Sequence, residues 1–332
     1  MEMRDFGRTG MKVSVLGFGC GAVGGLMVRG SSADQERAVG KALDAGINYF
    51  DTAVQYGDGL SETHLGQVMA KLKPANAIVG TKVRVPSSAF GRIADEIAQS
   101  LDASLKRLGM DHVDIFHLHN GIATDGGDES LSVRQVLEEV VPAFEALRAA
   151  GKTRFLGITA VGDTAALHKV LDSQKFQSAQ VSYNMLNPSP AQALPAGYPA
   201  QDYGRLFDHT VAAGVGVVGI RVLAGGALSG SAERHPIASP PPAPIGSAFD
   251  YGTDLQRAQR LMPLVTEGFA GSLAEAATRY AISHKAMGTI LVGMATVDEF
   301  DAGLAAVLKG PLSAAALARV DGLSRHFVGE GR

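Results

Sequence analysis

Residues 46–53 read Gly-Ile-Asn-Tyr-Phe-Asp-Thr-Ala, and this stretch contains the unit from which the fold is built. A helical pattern over residues 33–45 stops at the glycine, whose freedom to adopt a left-handed backbone suits a helix C-terminus. A short apolar run follows and ends at Asp51 in a polar loop, as a buried strand of a parallel sheet does. The same order recurs along the chain. The apolar runs predicted as strands cover residues 13–18, 47–50, 77–81, 113–118, 155–158, 179–182, 215–220 and 289–292.

Helical patterns alternate with these runs. Strands that are apolar on both faces and alternate with helices predict a parallel sheet covered by helices. Eight such units favour an α/β fold closed into a (β/α)8 TIM barrel over an open sheet. Composition does not change along the chain, so residues 1–332 are predicted to form a single barrel domain. The predicted helices cover residues 33–45, 62–71, 90–108, 133–150, 164–173, 205–213, 273–283 and 297–308.

Two segments lie outside this alternation. Residues 3–14 surround a cluster of turn residues at 7–10 and predict a β-hairpin that caps the barrel. Residues 222–272, after the seventh strand, contain a proline-rich stretch over 235–244 and a helical pattern over 254–267. Active sites of such barrels lie where the strands end. We therefore expect this extended loop to be part of a lid over cofactor or substrate.

Composition excludes several classes of function. The 332 residues include 30 Lys plus Arg against 33 Asp plus Glu. Because the chain has no excess of positive charge, sequence-independent binding to the phosphates of nucleic acid is not expected. The single cysteine, Cys20, excludes an internal disulfide framework and a four-cysteine metal site, and it fits a reducing compartment. No apolar run is long enough to span a membrane, and no signal peptide opens the chain. We expect a soluble cytoplasmic protein with a small-molecule partner; the sequence leaves the oligomeric state open.

Ionisable side chains of four kinds follow the second, third and fourth predicted strands: Asp51, Tyr56, Lys82 and the pair His117 and His119. A phenol alone has a pKa of about 10 and is a reluctant acid. An ammonium group beside it should lower that pKa, and a carboxylate would hold the ammonium in place. The set therefore predicts a general acid that protonates a carbonyl oxygen while a hydride arrives at the carbon.

Each of these residues has a more common structural role when it is taken alone. A strand-end Asp is usually a cap, a Lys there is usually solvated, and two histidines two apart share one face of a strand. No member of the set is a strong nucleophile with its own base, so acyl transfer fits less well. Their joint occurrence on consecutive strand ends is what favours catalysis.

The same stretches also carry a resemblance to a known family. The motifs are Leu16-Gly17-Phe18-Gly19, residues 46–53, Tyr56-Gly57, Ser61-Glu62, Thr81-Lys82, residues 114–119 and residues 151–157. They resemble the aldo-keto reductase superfamily, barrels with an N-terminal hairpin that reduce aldehydes or ketones, or oxidise alcohols, with a nicotinamide cofactor. The resemblance implies that Tyr56 is the general acid/base and that Lys82 and Asp51 tune it. It also implies that His119, rather than His117, is the catalytic histidine.

The resemblance further implies a set of cofactor contacts. Gln180 matches the amide that holds the nicotinamide carboxamide, and Thr159 keeps the hydroxyl of a Ser-Asn pair whose amide is lost here. Residues 220–226 lack the tyrosine that often stacks on the nicotinamide, so the stacking surface is aliphatic and Arg221 becomes a candidate pyrophosphate clamp. The implied cofactor-binding residues are Gly19, Asp51, Thr159, Gln180, Arg221, Leu223, Gly225, Gly293 and Glu299.

Two further expectations concern the branch and the cofactor. The Ile-Arg-Val form of residues 220–222 resembles D-threo-aldose and L-fucose dehydrogenases and pyridoxal dehydrogenase, which implies a carbonyl or sugar hemiacetal substrate. Members that prefer NADPH commonly have Arg or Lys after strand eight, and residues 286–308 contain neither. Glu299 would repel a 2′-phosphate and accept hydrogen bonds from a ribose diol. NAD is therefore expected over NADP.

Three other interpretations compete with this one. Residues 19–24 form a GxGxxG after a strand, as in a Rossmann dehydrogenase, but no helix opens directly after them. His117 and His119 have the spacing of metal ligands, but further ligands would be needed, and we expect no metal site. In the third interpretation, the protein is a non-catalytic accessory subunit that binds the cofactor, a role known for barrels of this family. All four catalytic positions are filled, which favours an enzyme.

Overall fold

The strands form one closed barrel and two small sheets in the computed structural model, which describes residues 1–331. Around the barrel the order is β3, β4, β5, β6, β9, β10, β11 and β12, and β12 pairs back to β3, always in parallel. This closure confirms the predicted TIM barrel and contradicts the open sheet of a Rossmann dehydrogenase. The strands are β1 (Met3–Asp5), β2 (Lys12–Ser14), β3 (Leu16–Gly19), β4 (Tyr49–Asp51), β5 (Ile78–Val83), β6 (Val113–Leu118), β7 (Gly121–Ala123), β8 (Ser130–Ser132), β9 (Thr153–Thr159), β10 (Ser178–Ser182), β11 (Gly216–Ile220) and β12 (Met287–Val292).

Helices pack against the outside of the barrel. Buried helix residues such as Leu65 and Ile97 join strand residues such as Phe50 and Phe116 in one apolar cluster. Burial of both faces of the sheet explains why the strands are continuous apolar runs. The helices are α1 (Leu26–Arg29), α2 (Ser32–Asp44), α3 (Leu60–Leu72), α4 (Ile93–Leu108), α5 (Val133–Gln135), α6 (Val141–Ala149), α7 (Thr164–Asp172), α8 (Leu206–Ala212), α9 (Tyr251–Gln259), α10 (Pro263–Thr266), α11 (Leu273–Ala281), α12 (Val297–Leu308) and α13 (Ala314–Ser324).

Three predicted elements are interrupted in the structure. The run 13–18 is split at Val15, whose amide donates to the Glu2 carbonyl of the hairpin and whose carbonyl accepts from the Ile290 amide of β12. The helix over 133–150 widens into a π-turn at Val136–Val140. Pro142, two residues after the turn, has no amide hydrogen to donate to the carbonyl four residues before it, which favours such a widening. The pattern over 254–267 is divided into α9 and α10, and α10 begins at Pro263.

The N-terminal hairpin closes one end of the barrel, as predicted. β1 and β2 pair antiparallel, and Phe6 between them is fully buried. A Cβ on Gly216 would lie 2.7 Å from the Phe6 ring, so β11 needs a glycine there. The side chains of Phe6, Met11 and Tyr49 belong to a small apolar cluster.

The extension after β11 crosses the opposite end of the barrel. We call residues 235–246 the strap. The Ser239 amide donates to the carbonyl of Val23, in the loop after β3, at 3.0 Å. The Ser182 hydroxyl, at the end of β10, donates to the Ile245 carbonyl at 3.2 Å. The strap therefore connects loops on two sides of the barrel opening.

Candidate active site

Three of the predicted side chains meet at the C-terminal ends of β4 and β5. The Lys82 ammonium donates to Asp51 Oδ2 at 2.6 Å, to the Thr52 carbonyl at 2.8 Å and to the Tyr56 phenol oxygen at 3.1 Å. Asp51 and Lys82 are almost completely buried. All three hydrogen bonds of the ammonium are thus satisfied, and one of them is to the phenol.

Burial and charge act on these groups in opposite directions. Burial lowers the pKa of Lys82, but Asp51 and Tyr56 outweigh burial, so the pKa lies above its ordinary value and the amine is charged. Burial raises the pKa of Tyr56, and Lys82 opposes this increase without cancelling it. Lys82 thus lowers the phenol pKa as expected, but burial outweighs it, so the net shift is upward and not downward. The phenol is protonated at neutral pH.

His119 lies beside Tyr56 as a neutral imidazole. Its ring centroid is 6.1 Å from that of Tyr56, in an edge-to-face arrangement. Its Nδ1 is 3.1 Å from Gln55 Oε1, and because an amide oxygen can only accept, Nδ1 carries the proton. Burial lowers the pKa of His119 to about 3, with further lowering by Lys82 and Arg84. Nε2 is therefore left as a hydrogen-bond acceptor.

His117 occupies a different place. It is fully buried within β6, and its Nε2 is 3.0 Å from the Ser178 hydroxyl. Burial holds the pKa of His117 well below its ordinary value, so the ring is neutral. Of the two histidines, His119 is the one next to Tyr56.

Gln180 and Thr159 are register partners on β10 and β9. The Gln180 amide donates to Asp51 Oδ1 at 2.5 Å, a contact that sequence reasoning did not foresee. The Thr159 hydroxyl is buried and has no hydrogen-bond partner among the described residues. A buried hydroxyl without a partner costs free energy unless a ligand supplies one. The pair could hold an amide group such as the nicotinamide carboxamide.

The predicted contacts after β11 lie beneath the strap. Arg221 adopts a left-handed backbone with φ of +56°, and its guanidinium donates to the Ala243 carbonyl at 3.3 Å. A Cβ on Gly225 would lie 2.8 Å from Pro242 Cγ, so a larger residue would push the strap away. Leu223 is partly buried in the apolar cluster. Arg221 is thus in a position to hold a ligand between the strap and the barrel.

The remaining predicted cofactor residues lie near the first and last barrel strands. Gly19 ends β3 in register with Asp51, whereas Gly293 is exposed after β12. Glu299 Oε2 accepts a hydrogen bond from the Ala295 amide at 2.6 Å. The Glu299 carboxylate therefore caps the start of α12. The oxygen that makes this bond cannot at the same time make the predicted contact with a ribose.

A cavity of about 310 Å³ lies between the N-terminal ends of α2 and α12. It is lined by two acids, Asp34 and Asp298, and by two arginines that already have partners. Arg37 donates to Asp34 Oδ1 at 2.6 Å, and Arg29 donates to the Ala22 carbonyl at 2.6 Å. Asp34 Oδ2 accepts from the Ser31 hydroxyl at 2.7 Å, so both Asp34 oxygens have partners, whereas the Asp298 carboxylate has none among residues 1–331.

Sequence reasoning did not bring together several polar residues around this centre. Gln55, Arg84 and Glu129 line a pocket next to His119. The signal was present, because the loops after strands two, three and four carry them, but nothing in their spacing pairs them. Glu62 was noted only within a motif. It is fully buried and accepts from the Thr81 hydroxyl at 2.5 Å, which fixes the strand residue next to Lys82.

Residues 1–331 lack two features that would have indicated other functions. Within that range, no group of three or more His, Cys, Asp or Glu side chains could hold a metal ion. Over the same residues, no helix is both long enough and apolar enough to cross a membrane.

Comparison with known proteins identifies similar chains over nearly the whole length. A family model described as "Aldo/keto reductase family" matches residues 15–325, which include every strand of the barrel. L-galactose dehydrogenase from Arabidopsis thaliana is 31% identical over 313 residues, covering 92% of this chain and 88% of the relative. Pyridoxal 4-dehydrogenase from Microbacterium luteolum is 27% identical over 332 residues, covering 90% of each. The holo form of an aldo-keto reductase from Bacillus halodurans has a TM-score of 0.73 at 24% identity, covering 100% of this chain and 98% of its own.

Proposed function

The chain belongs to the aldo/keto reductase family and is an NAD(P)-dependent oxidoreductase, and from that premise we propose that it oxidises the hemiacetal carbon of a sugar to a lactone. Tyr56 acts as general base in this direction and as general acid in the reverse reduction. One observation carries the proposal: the Lys82 ammonium lies 3.1 Å from the Tyr56 phenol oxygen, at the end of the barrel where strands terminate.

Tyr56 is the group that exchanges a proton with the reacting oxygen. In the reduction direction its phenol, kept protonated by burial, donates to the carbonyl oxygen. In the oxidation direction the phenolate accepts the hydroxyl proton, and the Lys82 ammonium stabilises the negative charge. Asp51 holds the ammonium in place. A positioned acid or base of this kind contributes about 10²–10⁴-fold to the rate.

His119 orients the substrate in this proposal. Its proton is on Nδ1 and is donated to Gln55, so Nε2 accepts a hydrogen bond from a substrate hydroxyl. Because the ring is neutral, it does not compete with Tyr56 as a proton donor. The division of roles explains why a phenol, and not an imidazole, transfers the proton.

The residues present fit a nicotinamide dinucleotide, which accepts or supplies the hydride when bound. Thr159 has a buried hydroxyl without a partner next to the Gln180 amide, and this pair suits a carboxamide. Arg221, beneath the strap, suits the pyrophosphate because a guanidinium can bind phosphate oxygens through two parallel hydrogen bonds. Further contacts are proposed for residues at the same ends of other barrel strands, namely Gly19, Leu223, Gly225 and Gly293.

NAD is proposed as the preferred cofactor. Residues 286–308 contain no Lys or Arg, and Asp298 lines the cavity between α2 and α12. The arginines of that cavity are bonded to Asp34 and to the backbone. A 2′-phosphate there would meet the Asp298 carboxylate, which has no hydrogen-bond partner among residues 1–331, and like charges repel. Glu299 adds a further negative charge close by.

The cofactor preference is tested by the KM values for NAD and NADP. We expect the lower value for NAD, and a KM for NADP about tenfold below that for NAD would contradict the proposal. Asp298→Asn should lower the KM for NADP selectively. Asp301→Asn, on the same helix but paired with Lys41, is the matched control and should leave both values unchanged.

The sugar substrate is inferred from the relatives, which are named as L-galactose and pyridoxal dehydrogenases over nearly the full length. Both names denote enzymes, which supports turnover over the role of a non-catalytic accessory subunit. The test is a panel of aldoses, pyridoxal and simple aldehydes with each cofactor, followed by the absorbance of the reduced nicotinamide. Oxidation of an aldose as the best substrate supports the proposal; activity only with pyridoxal or simple aldehydes contradicts it.

Two broader features belong to the same proposal. Residues 1–332 are proposed to act as one domain, since the site takes side chains from β4 through β11. A reducing cytoplasmic location is proposed because the single cysteine, Cys20, is a buried free thiol. Cell fractionation tests the location, and limited proteolysis tests whether any part of the chain separates as a stable fragment.

A further inference from the structure

A pocket of about 260 Å³ opens beside the proposed catalytic groups. Its walls come from the loops after β4 and β5 and from the loop between β7 and β8, and the lining residues are Gln55, Arg84, Val85, Pro86, Ser87 and Glu129. Ligand pockets commonly span about 300–1,000 Å³. A cavity slightly below this range suits part of a small molecule.

The pocket is connected to the reacting centre through Gln55. The Gln55 amide oxygen accepts from His119 Nδ1 at 3.1 Å, and His119 stands edge-on to the Tyr56 ring. The pocket therefore lies next to the place where a substrate oxygen would meet Tyr56.

The polar lining of the pocket matches hydroxyl groups better than apolar or charged ones. Arg84 and Glu129 form an ion pair across it, so the pocket has donors and acceptors but little net charge. Their side chains are 48% and 75% exposed, and their remaining hydrogen-bonding positions are open to a ligand. Gln55 and Ser87 add an amide and a hydroxyl, and no aromatic ring contributes to the lining.

The walls of this pocket are held by one buried amide. Asn120 accepts from the Val85 amide at 2.8 Å and donates to the Val85 carbonyl at 2.8 Å. It also donates to the Glu129 carbonyl at 3.3 Å. The backbones carrying the two walls are thus joined before any ligand arrives, which reduces the entropy cost of binding.

We infer that this pocket binds the hydroxyl groups of a polyhydroxylated substrate, remote from the reacting carbon, and that Arg84 and Glu129 determine specificity. Glu129 accepts from vicinal hydroxyls, and Arg84 donates to their oxygens. Neutral polyols satisfy both groups, whereas an anionic substrate would meet Glu129 together with Asp125 and Asp128 of the same loop. The inference rests on the proposed function and identifies where its substrate class is recognised.

The test compares two hemiacetals that share the reacting carbon and differ in the groups remote from it. Wild type, Arg84→Met and Glu129→Gln are assayed for oxidation of L-galactose and of 2-hydroxytetrahydropyran, which has the same six-membered ring without the other hydroxyls and without the hydroxymethyl group. Hydrogen bonds to charged groups are among the stronger ones, so kcat/KM for L-galactose should fall by about tenfold or more in each variant. The value for 2-hydroxytetrahydropyran should stay within about twofold.

Matched controls separate specificity from general damage. Arg134→Met and Glu138→Gln remove an exposed ion pair elsewhere on the molecule and should change neither substrate. Cofactor affinity, measured by fluorescence titration, should be equal in all variants. Equal losses for both hemiacetals, no loss for L-galactose, or a wild-type preference for 2-hydroxytetrahydropyran would overturn the inference.

The proposed function fails in a different way. If wild type oxidises neither these hemiacetals nor any aldose of the panel, the proposed function is wrong and the pocket assignment falls with it. If wild type oxidises an aldose other than L-galactose, that aldose replaces L-galactose in the comparison with 2-hydroxytetrahydropyran. The outcomes stated above for L-galactose then support or overturn the inference in the same way.

Discussion

His117 and Gly157 are register partners on β6 and β9, and a Cβ on Gly157 would lie only 2.3 Å from His117 Cδ2. The imidazole thus fills the space that a side chain at 157 would need. On its other side, His117 is in register with Lys82 of β5. The absence of a side chain on one strand therefore makes room for a buried ring beside the proposed catalytic lysine.

Gly157→Ala should be destabilising, because the added methyl group displaces a ring that has no free space. Overpacking of this kind costs about 1–3 kcal/mol. Urea unfolding measures the loss, and Gly40→Ala is the control, since a Cβ at Gly40 meets nothing within 4 Å. Alanine within a helix is favoured over glycine, so the control should be neutral or slightly stabilising. Equal stability of both variants would show that His117 moves without cost.

Tyr56→Phe should reduce kcat by about 10²–10⁴-fold, because it removes only the proton that the reaction transfers. Affinity for the reduced cofactor should change little, since the ring remains. Stopped-flow and fluorescence titration separate the two quantities. Tyr280→Phe, in an aromatic cluster with Tyr183, is the control and should retain full turnover. Full turnover by Tyr56→Phe would eliminate the phenol as the acid.

The pH dependence should lack an ionisation near the ordinary histidine pKa of about 6.5. His119 has a pKa lowered to about 3, so it is neutral throughout the working range. Because the folded-state pKa is depressed, the stability linked to His119 is complete above about pH 6.5 and is lost as pH falls towards 3. The pKa of Tyr56 is raised, so the rate of reduction should hold to alkaline pH while that of oxidation rises with pH. An inflection near 6.5 that His119→Gln removes would contradict this view.

Arg221→Met should weaken cofactor binding by about tenfold or more, because a charge-assisted contact beneath the strap is lost. Arg205→Met is a matched control, as Arg205 also has a left-handed backbone but is paired with Asp208 at an exposed site. Titration with the reduced cofactor at two salt concentrations measures the effect. An equal response of the two variants would remove Arg221 from the binding site.

The barrel and the grouping of Asp51, Tyr56 and Lys82 could be predicted because both follow from local pattern. Strand ends of a parallel barrel share one face, so polar residues there converge without knowledge of the packing. The sign of the Tyr56 pKa shift could not be predicted, since burial depends on every neighbouring element. The contact of Gln180 with Asp51 joins residues far apart in sequence, and no spacing reveals it.

Loops were the least predictable part for a related reason. Arg84 and Glu129 come from separate connections, and only tertiary structure pairs them across a pocket. The π-turn before Pro142 could have been anticipated, because a proline inside a helical pattern removes a donor. The helical periodicity around it concealed that local signal.

The N-terminal hairpin and the buried Phe6 close one end of the barrel, so ligands of Tyr56 are expected to enter from the other end. Gln180 is buried within β10, whereas Gln55 lies in the loop after β4. We therefore expect the molecule bound against Gln180 to arrive before the one in the pocket at Gln55 and to leave after it. Product-inhibition kinetics should accordingly show the dinucleotide as first in and last out.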